Sequence, residues 1–225
     1  MKKGLTESEP GTAEPRTALS RDRVVQAAVA LADEQGIDAL TMRELARRLR
    51  VEAASLYNHV KGKDDILDGM ADWAARQIDL PGEGVEWKTA MRRRAASARE
   101  VFARHAWASA LVDSPERDSP ARWEYVDGVL GILLDAGFPP VLAGKAFFCL
   151  DSYVYGFARQ AVNLSMGDAA DSAEASEQVL AAVPTDVFPN LSRVLVGFAT
   201  YTDDDDALFN FGLDLILDGL ERMLG

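Results

Sequence analysis

Thr41-Met42-Arg43-Glu44-Leu45-Ala46-Arg47-Arg48-Leu49, a break at Arg50-Val51-Glu52, and then Ala53-Ala54-Ser55-Leu56-Tyr57-Asn58-His59-Val60 is the stretch that decides how this chain folds. Its first four residues have the form of a capping box. The Thr41 hydroxyl is placed to accept from the Glu44 amide while the Glu44 carboxylate reaches back. Leu40 and Leu45 stand at N′ and N4, where a hydrophobic staple forms. A helix therefore starts at Thr41 and ends near Leu49. A second short helix is expected from Ala53 to about Val60, because Leu56 and Val60 are four apart and share a face. Two helices of about eight residues joined by about three have the layout of a helix-turn-helix.

In that layout the first helix braces against the DNA backbone and the second enters the major groove. Burying Leu56 and Val60 leaves Ala53, Ala54, Ser55, Tyr57, Asn58 and His59 outside. The alanines allow close approach to base edges, and the polar groups behind them can meet phosphates or bases. Arg43, Lys61 and Lys63 flank the helix with positive charge, the source of most affinity for DNA. Thr41 completes the candidate DNA-facing set. By pattern alone, the same residues are equally an ordinary helical hairpin with a solvated polar face.

Outward from this segment the pattern is helical almost throughout. Before it, Ser20 is a candidate N-cap for a helix from Arg21 to about Gln35, which Gly36 stops. Residues 1–19 lack periodicity and read as a disordered arm. After it, a long helix is expected to reach Leu80, where Pro81-Gly82 breaks it. Further helices are expected over Glu86 to His105, Pro120 to Ala136, Pro140 to Asn163, within Ser172 to Tyr201, and over Asp206 to Leu224. Ser165 to Asp186 is small and polar and reads in part as a loop. No alternating strand pattern occurs. The fold class is all-α. A three-helix DNA-binding domain is expected over 20–64, and a helical ligand-binding and dimerisation domain over 65–225.

The 225 residues, 48% hydrophobic, suffice for one or two domains with a sizeable core. Net charge is −12, yet it is unevenly spread. Residues 1–63 carry 11 Lys and Arg against 9 Asp and Glu, a balance of +2; the rest carry 13 against 27, leaving −14. A mildly basic start ahead of an acidic body suits a protein of which one part meets phosphate. No apolar stretch approaches the ~20 residues of a membrane span, and the first 20 residues show no secretory signal. The one cysteine, Cys149, lies in an apolar run and is expected to be a small buried hydrophobe. A cytoplasmic location follows as the expectation.

The run from Gly36 to Leu49, with Val51 and then Ser55-Leu56-Tyr57-Asn58-His59-Val60-Lys61-Gly62-Lys63, closely resembles the DNA-binding domain of the TetR family of transcription regulators. That resemblance implies that Arg43, Ser55, Tyr57, His59 and Lys63 contact operator DNA. One position departs from it: the family usually has Gly in the turn where this chain has Arg50, and a positive φ is costly for a residue with a side chain.

The last expected helix is apolar nearly all round. Phe209, Leu213, Ile216, Leu220 and Met223 form one stripe, with Leu208, Phe211, Leu215 and Leu217 in others. Such a helix is buried on several sides, which a final helix achieves most easily at a subunit interface; Gly212 and Gly219 would permit close approach. Its Phe-x-Phe-Gly-Leu-Asp ending resembles the tetracycline-repressor subfamily. There the last helix and the one matching Pro140 to Asn163 form a four-helix interface, so a homodimer is implied. The acidic run Asp203 to Asp206 suits a helix N-terminus better than a metal site.

The subfamily encloses small molecules in its C-terminal core and holds tetracycline as a magnesium complex through a histidine. This chain has two histidines, His59 and His105. The position matching the metal-binding histidine falls near Ala110, and the outer carboxylate position falls near Gln160. The expectation is therefore no metal, no cofactor and a small, mostly apolar inducer. The same alignment puts Arg94, Ala98, Val129 and Gln160 on the cavity wall. Arg94 there would favour an anion or a carbonyl, the alternative being a surface arginine. The helix from Lys63 to Leu80, roughly 27 Å long, would carry ligand binding to Ser55 and Tyr57.

Two other classes remain. An enzyme would need a nucleophile, metal or phosphate motif, and none is recognisable. An acidic all-α adaptor would show no salt-dependent DNA affinity.

Overall fold

The structure, a computed structural model, describes residues 18–82, 84–114, 119–163, 183–184, 186–199 and 205–224. The expected arm before Leu19, most of the Ser165–Asp186 loop and the start of the acidic run at Asp203 lie outside the described residues. Ten α-helices and one 3₁₀ turn make up the described chain, which contains no strand.

The first three helices are α1 (Arg21–Gln35), α2 (Met42–Leu49) and α3 (Ala53–Leu56). Ser20 Oγ accepts from the Arg23 amide at 3.2 Å, capping α1 as its identity suggests. Gly36 ends the helix at φ 83°, and a 3₁₀ turn, Ile37–Ala39, leads on. Thr41 Oγ1 accepts from the Glu44 amide at 3.2 Å, the first half of the capping box. The second half is replaced: the Glu44 carboxylate takes the Arg47 guanidinium instead, at 2.9 Å from Nε. Arg50 follows α2 at φ 54°, ψ 46°, the left-handed region. A side chain there costs roughly 1–2 kcal/mol. The amide it turns inward bonds Ala46 and Arg47 carbonyls, closing the helix.

The body comprises α4 (Lys63–Gln77), α5 (Trp87–Arg104), α6 (Ala108–Val112), α7 (Pro120–Asp135), α8 (Pro140–Asn163), α9 (Pro189–Ala199) and α10 (Asp205–Leu224). Prolines open α7, α8 and α9, where their missing amide is no loss. The fourth helix stops at Gln77, three residues before Leu80, and Ile78 is already extended.

One hydrophobic cluster runs unbroken from Val24 in α1 to Leu220 in α10. Its hub is α4, packed on α1, α5, α6 and α7. Gly69 makes the α1 contact possible: a Cβ there would lie 2.6 Å from Val25 Cγ2. At the other end, α10 packs on α8 through Gly212, where a Cβ would lie 2.7 Å from the Tyr153 ring. The Tyr153 hydroxyl donates to the Phe209 carbonyl at 2.7 Å, and the two rings stack at 5.4 Å.

Candidate functional site

The reading segment has the expected two-sided character. Leu45, Ala46, Leu56 and Val60 are buried, so α2 and α3 are held by their inner faces. Thr41, Arg43, Ala53 and Ala54 are exposed, as are Tyr57, Asn58, Lys61 and Lys63. Ser55 and His59 are half-buried. The helix itself is shorter than expected. It ends at Leu56 rather than near Val60, and residues 57–59 form tight turns. The amides of His59 and Val60 both bond the Leu56 carbonyl, at 2.9 and 3.0 Å, which keeps Val60 inside. Asp65, in the first turn of α4, accepts from the Lys61 amide at 2.8 Å and from Arg21 Nη2 at 2.9 Å. The Lys61 amide, with Arg21 in support, holds the Asp65 carboxyl below its ordinary range.

Polar contacts join α1 to the segment before α6, and α4 to α7. Asp33 of α1 accepts from Trp107 Nε1 at 2.7 Å and lies 2.9 Å from His105 Nδ1. The His105 ring sits edge-on to Trp73 of α4, centroids 5.0 Å apart. Farther along α4, Asp72 Oδ1 accepts from the Ala121 amide at 2.8 Å and from Ser119 Oγ at 3.2 Å, capping α7 from outside. Arg76 bonds both Asp72 and Glu124 of α7.

A cavity of roughly 240 Å³ lies between α7 and α8, near the end of α6. Tyr125, Val126, Phe147, Tyr155 and Phe148 supply its apolar wall, and Asp113, Arg122, Asp151 and Arg159 its charges. Of the residues expected on the wall, Arg94, Ala98 and Val129 are buried and Gln160 is exposed; the lining of this cavity includes none of the four. Arg94 is nevertheless its immediate support. Only 2% exposed, it donates from Nε to the Tyr125 hydroxyl and pairs through Nη2 with Asp151. Its guanidinium lies 5.0 Å from the centroid of the Tyr125 ring and 5.8 Å from that of Phe147. The surface-arginine alternative is thus overturned: α5 turns Arg94 inward onto a carboxylate that only the fold brings near. Burial raises the pKa of both Tyr125 and Tyr155, keeping their phenols protonated. The sequence reading missed Tyr125 and Asp151. The available signal was a lone carboxylate, Asp151, following the apolar run Ala146 to Leu150. Ala110 is exposed, and no group of three or more metal-ligating side chains occurs among the described residues.

The terminal helix corrects the expected interface stripe. Phe209, Leu213 and Leu220 are buried within the protomer and Ile216 is half-buried. Met223 alone of that stripe is exposed, and the open side of the helix carries Phe211 and Leu215; each of the three is at least 60% exposed. Gly212 serves the contact with α8 of the same chain, whereas nothing lies within 4 Å of a Cβ at Gly219. On α8, Val141 and Phe148 are similarly open, and so is Cys149, which is exposed rather than buried. A row of ion pairs ties α10 to α5: Lys88 reaches Asp218 and Glu221, each at 2.8 Å, Arg92 reaches Asp214, also at 2.8 Å, and Arg99 reaches Asp206.

Residues 24–70 match the model for "Bacterial regulatory proteins, tetR family", and residues 80–224 match "Tetracyclin repressor-like, C-terminal domain". The HTH-type transcriptional repressor DrrR1 of Streptomyces coeruleorubidus is 32% identical over 222 residues, covering 93% of this chain and 80% of that one. The tetracycline repressor protein class C of Escherichia coli is 31% identical over 209 residues, covering 91% of this chain and 92% of that one. Among solved structures, ActR of Streptomyces coelicolor in complex with actinorhodin superposes with a TM-score of 0.74 at 28% identity, covering 93% of this chain and all of that one.

Proposed function

This chain belongs to the TetR family and is a ligand-responsive, DNA-binding transcriptional regulator of the repressor type; on that premise we propose which of its residues do the work. The family relationship gives no support to an acidic adaptor or an enzyme. The exposed and half-buried polar residues of α2, α3, the turn after them and the start of α4 meet operator DNA: Arg43, Ser55, Tyr57 and His59 at bases or phosphates, Lys61 and Lys63 at phosphates. Thr41, Ala53, Ala54 and Asn58 lie on the same open surface. The observation that supports this is the clean division of the segment, with Leu56 and Val60 inside and Tyr57 57% exposed.

The working form is a homodimer through the open faces of α8 and α10, acting in the cytoplasm on a pseudo-palindromic operator. The reading domain spans 20–64 and the body 65–225, with α4 as the connection. The inducer enters the cavity between α7 and α8 and needs no metal. ActR binds actinorhodin in its solved complex, which supports an organic ligand for the corresponding region here. Displacement of α7 reaches α4 through Asp72 and Arg76 and re-aims Tyr57. A ligand can shift DNA affinity only by as much as it prefers the released state; coupling of about 1–3 kcal/mol weakens operator binding roughly 5–150-fold.

The test uses the intergenic DNA beside the reading frame in a fluorescence-anisotropy titration. Salt-sensitive binding to a palindrome, relieved by a small molecule equally with and without EDTA, is the expected result. Failure to bind any palindrome would remove the DNA assignment, and release that requires magnesium would remove the metal-free ligand.

A further inference from the structure

We propose that the cavity between α7 and α8 binds a flat aromatic molecule carrying one negative charge. This deepens the inducer reading above and rests on it; it also departs from the mostly apolar ligand expected from sequence. The apolar part of the wall is mostly aromatic: Tyr125, Phe147 and Tyr155 offer rings to a planar ligand. Its charges do not balance. Asp151 is neutralised from behind by Arg94, which leaves Arg122 and Arg159 against Asp113. The wall and its support therefore hold one positive charge in excess.

The hydrogen-bonding inventory leans the same way. The Tyr125 oxygen already accepts from Arg94 Nε, so its own proton is the group it has to offer. Arg94 Nη1 is buried and has no hydrogen-bond partner among the described residues. A buried, unsatisfied charged donor is costly; the surroundings of the cavity are thus short of acceptors, which a ligand anion paired with Arg122 or Arg159 helps to redress. A cationic ligand would add to the excess charge, and an uncharged one would leave it unanswered. The volume, roughly 240 Å³, lies below the ~300–1,000 Å³ of most ligand pockets and suits a small ring system.

Three probes of one shape separate the possibilities: 2-naphthoate, 2-naphthamide and 2-naphthylmethylammonium. Binding to the full-length dimer is read by thermal shift and by tryptophan fluorescence. Naphthoate should bind about tenfold more tightly than either analogue, the ratio that one partly buried charge pair provides. Arg122→Gln and Arg159→Gln, both near the surface, should each narrow the naphthoate-to-naphthamide ratio several-fold while circular dichroism shows the fold kept. Arg94→Lys tests the buried centre. Equal binding of the amide, preference for the ammonium, or no binding of naphthoate up to its solubility overturns the proposal. Operator release is scored separately. Naphthoate that binds without releasing DNA removes the inducer reading and leaves the charge assignment standing. Release by an uncharged or cationic ligand shown to occupy this cavity does the reverse.

Discussion

Asp33 of α1 and Trp107, at the start of α6, are joined by a hydrogen bond of 2.7 Å from the indole to the carboxylate. It ties the reading segment to the body, and His105 shares the same carboxylate oxygen. Asp33→Ala leaves the buried indole N–H unpaired and should cost about 2 kcal/mol. For a chain of this size that lowers Tm by roughly 4–8 °C. A double-mutant cycle with Trp107→Phe measures the pair directly: strict additivity of the two changes would show that the bond contributes nothing.

Tyr57 and Lys63 are predicted to act differently on DNA. Tyr57→Ala should weaken binding to the operator by about 1–3 kcal/mol with little effect on random DNA, whereas Lys63→Ala should weaken both and reduce the salt slope by about one. The two half-sites should lie roughly 34–36 Å apart or a multiple of that. Anisotropy titrations across salt concentrations distinguish the two variants, and unchanged binding in both would mean that another surface reads the operator.

Subunit association should depend on the open face of α10. Phe211→Glu with Leu215→Glu should yield a folded, helical monomer in sedimentation, because both side chains are at least 60% exposed in the protomer. Phe209→Glu should unfold the chain instead, since it buries a charge where 1% of the residue is accessible. A dimer that survives the first double change at micromolar concentration places the interface elsewhere.

Asp72 is predicted to be a coupling residue. Asp72→Asn weakens its acceptance from the Ala121 amide and its pairing with Arg76 without emptying the space. Operator affinity without ligand should stay within about twofold, while the coupling of roughly 1–3 kcal/mol falls by half or more. The readout is the shift in operator Kd at saturating inducer. An undiminished shift would mean that α4 moves by another route.

Asp65 sets an acid-side limit on the reading head. Its pKa is depressed by the Lys61 amide first and by Arg21 next. The stabilisation is therefore complete above the unfolded value near 3.9 and is lost as pH falls through the lower folded value. Asp65→Asn should lower Tm at neutral pH and flatten its decline between about pH 5 and pH 2. A parallel decline in both proteins would assign the acid sensitivity to other carboxylates.

The sequence made helix boundaries legible wherever a cap or breaker had one meaning. Ser20, Gly36, Thr41, Pro120 and Pro140 stand at or within a residue of the ends they suggest. The five-residue α6 (Ala108–Val112) escaped because it is too short to show a period. Face assignment on α10 failed for a different reason: with apolar residues all round, periodicity cannot say which stripe meets α8, and the answer came from Tyr153 seating on Gly212. The inner and outer faces of the candidate DNA-binding segment could be read because its residues lie close together in the chain. The cavity could not, because Arg94, Tyr125 and Asp151 lie on three helices and a charged residue in isolation gives no sign that its counter-ion lies 57 positions away.

Lys88, Arg92 and Arg99 tie α5 to the terminal helix, while Arg94, between them in sequence, supports the cavity from the same helix. One helix thus stands behind the proposed ligand cavity and against the helix that carries the proposed subunit contact. If the ligand and the partner both bind there, occupancy and association would be linked equilibria: whatever factor the ligand imposed on the dimer constant, pairing would impose on ligand affinity. Near the dissociation concentration the dose needed for derepression would then vary with the number of copies in the cell, so the regulator would register its own abundance together with its signal.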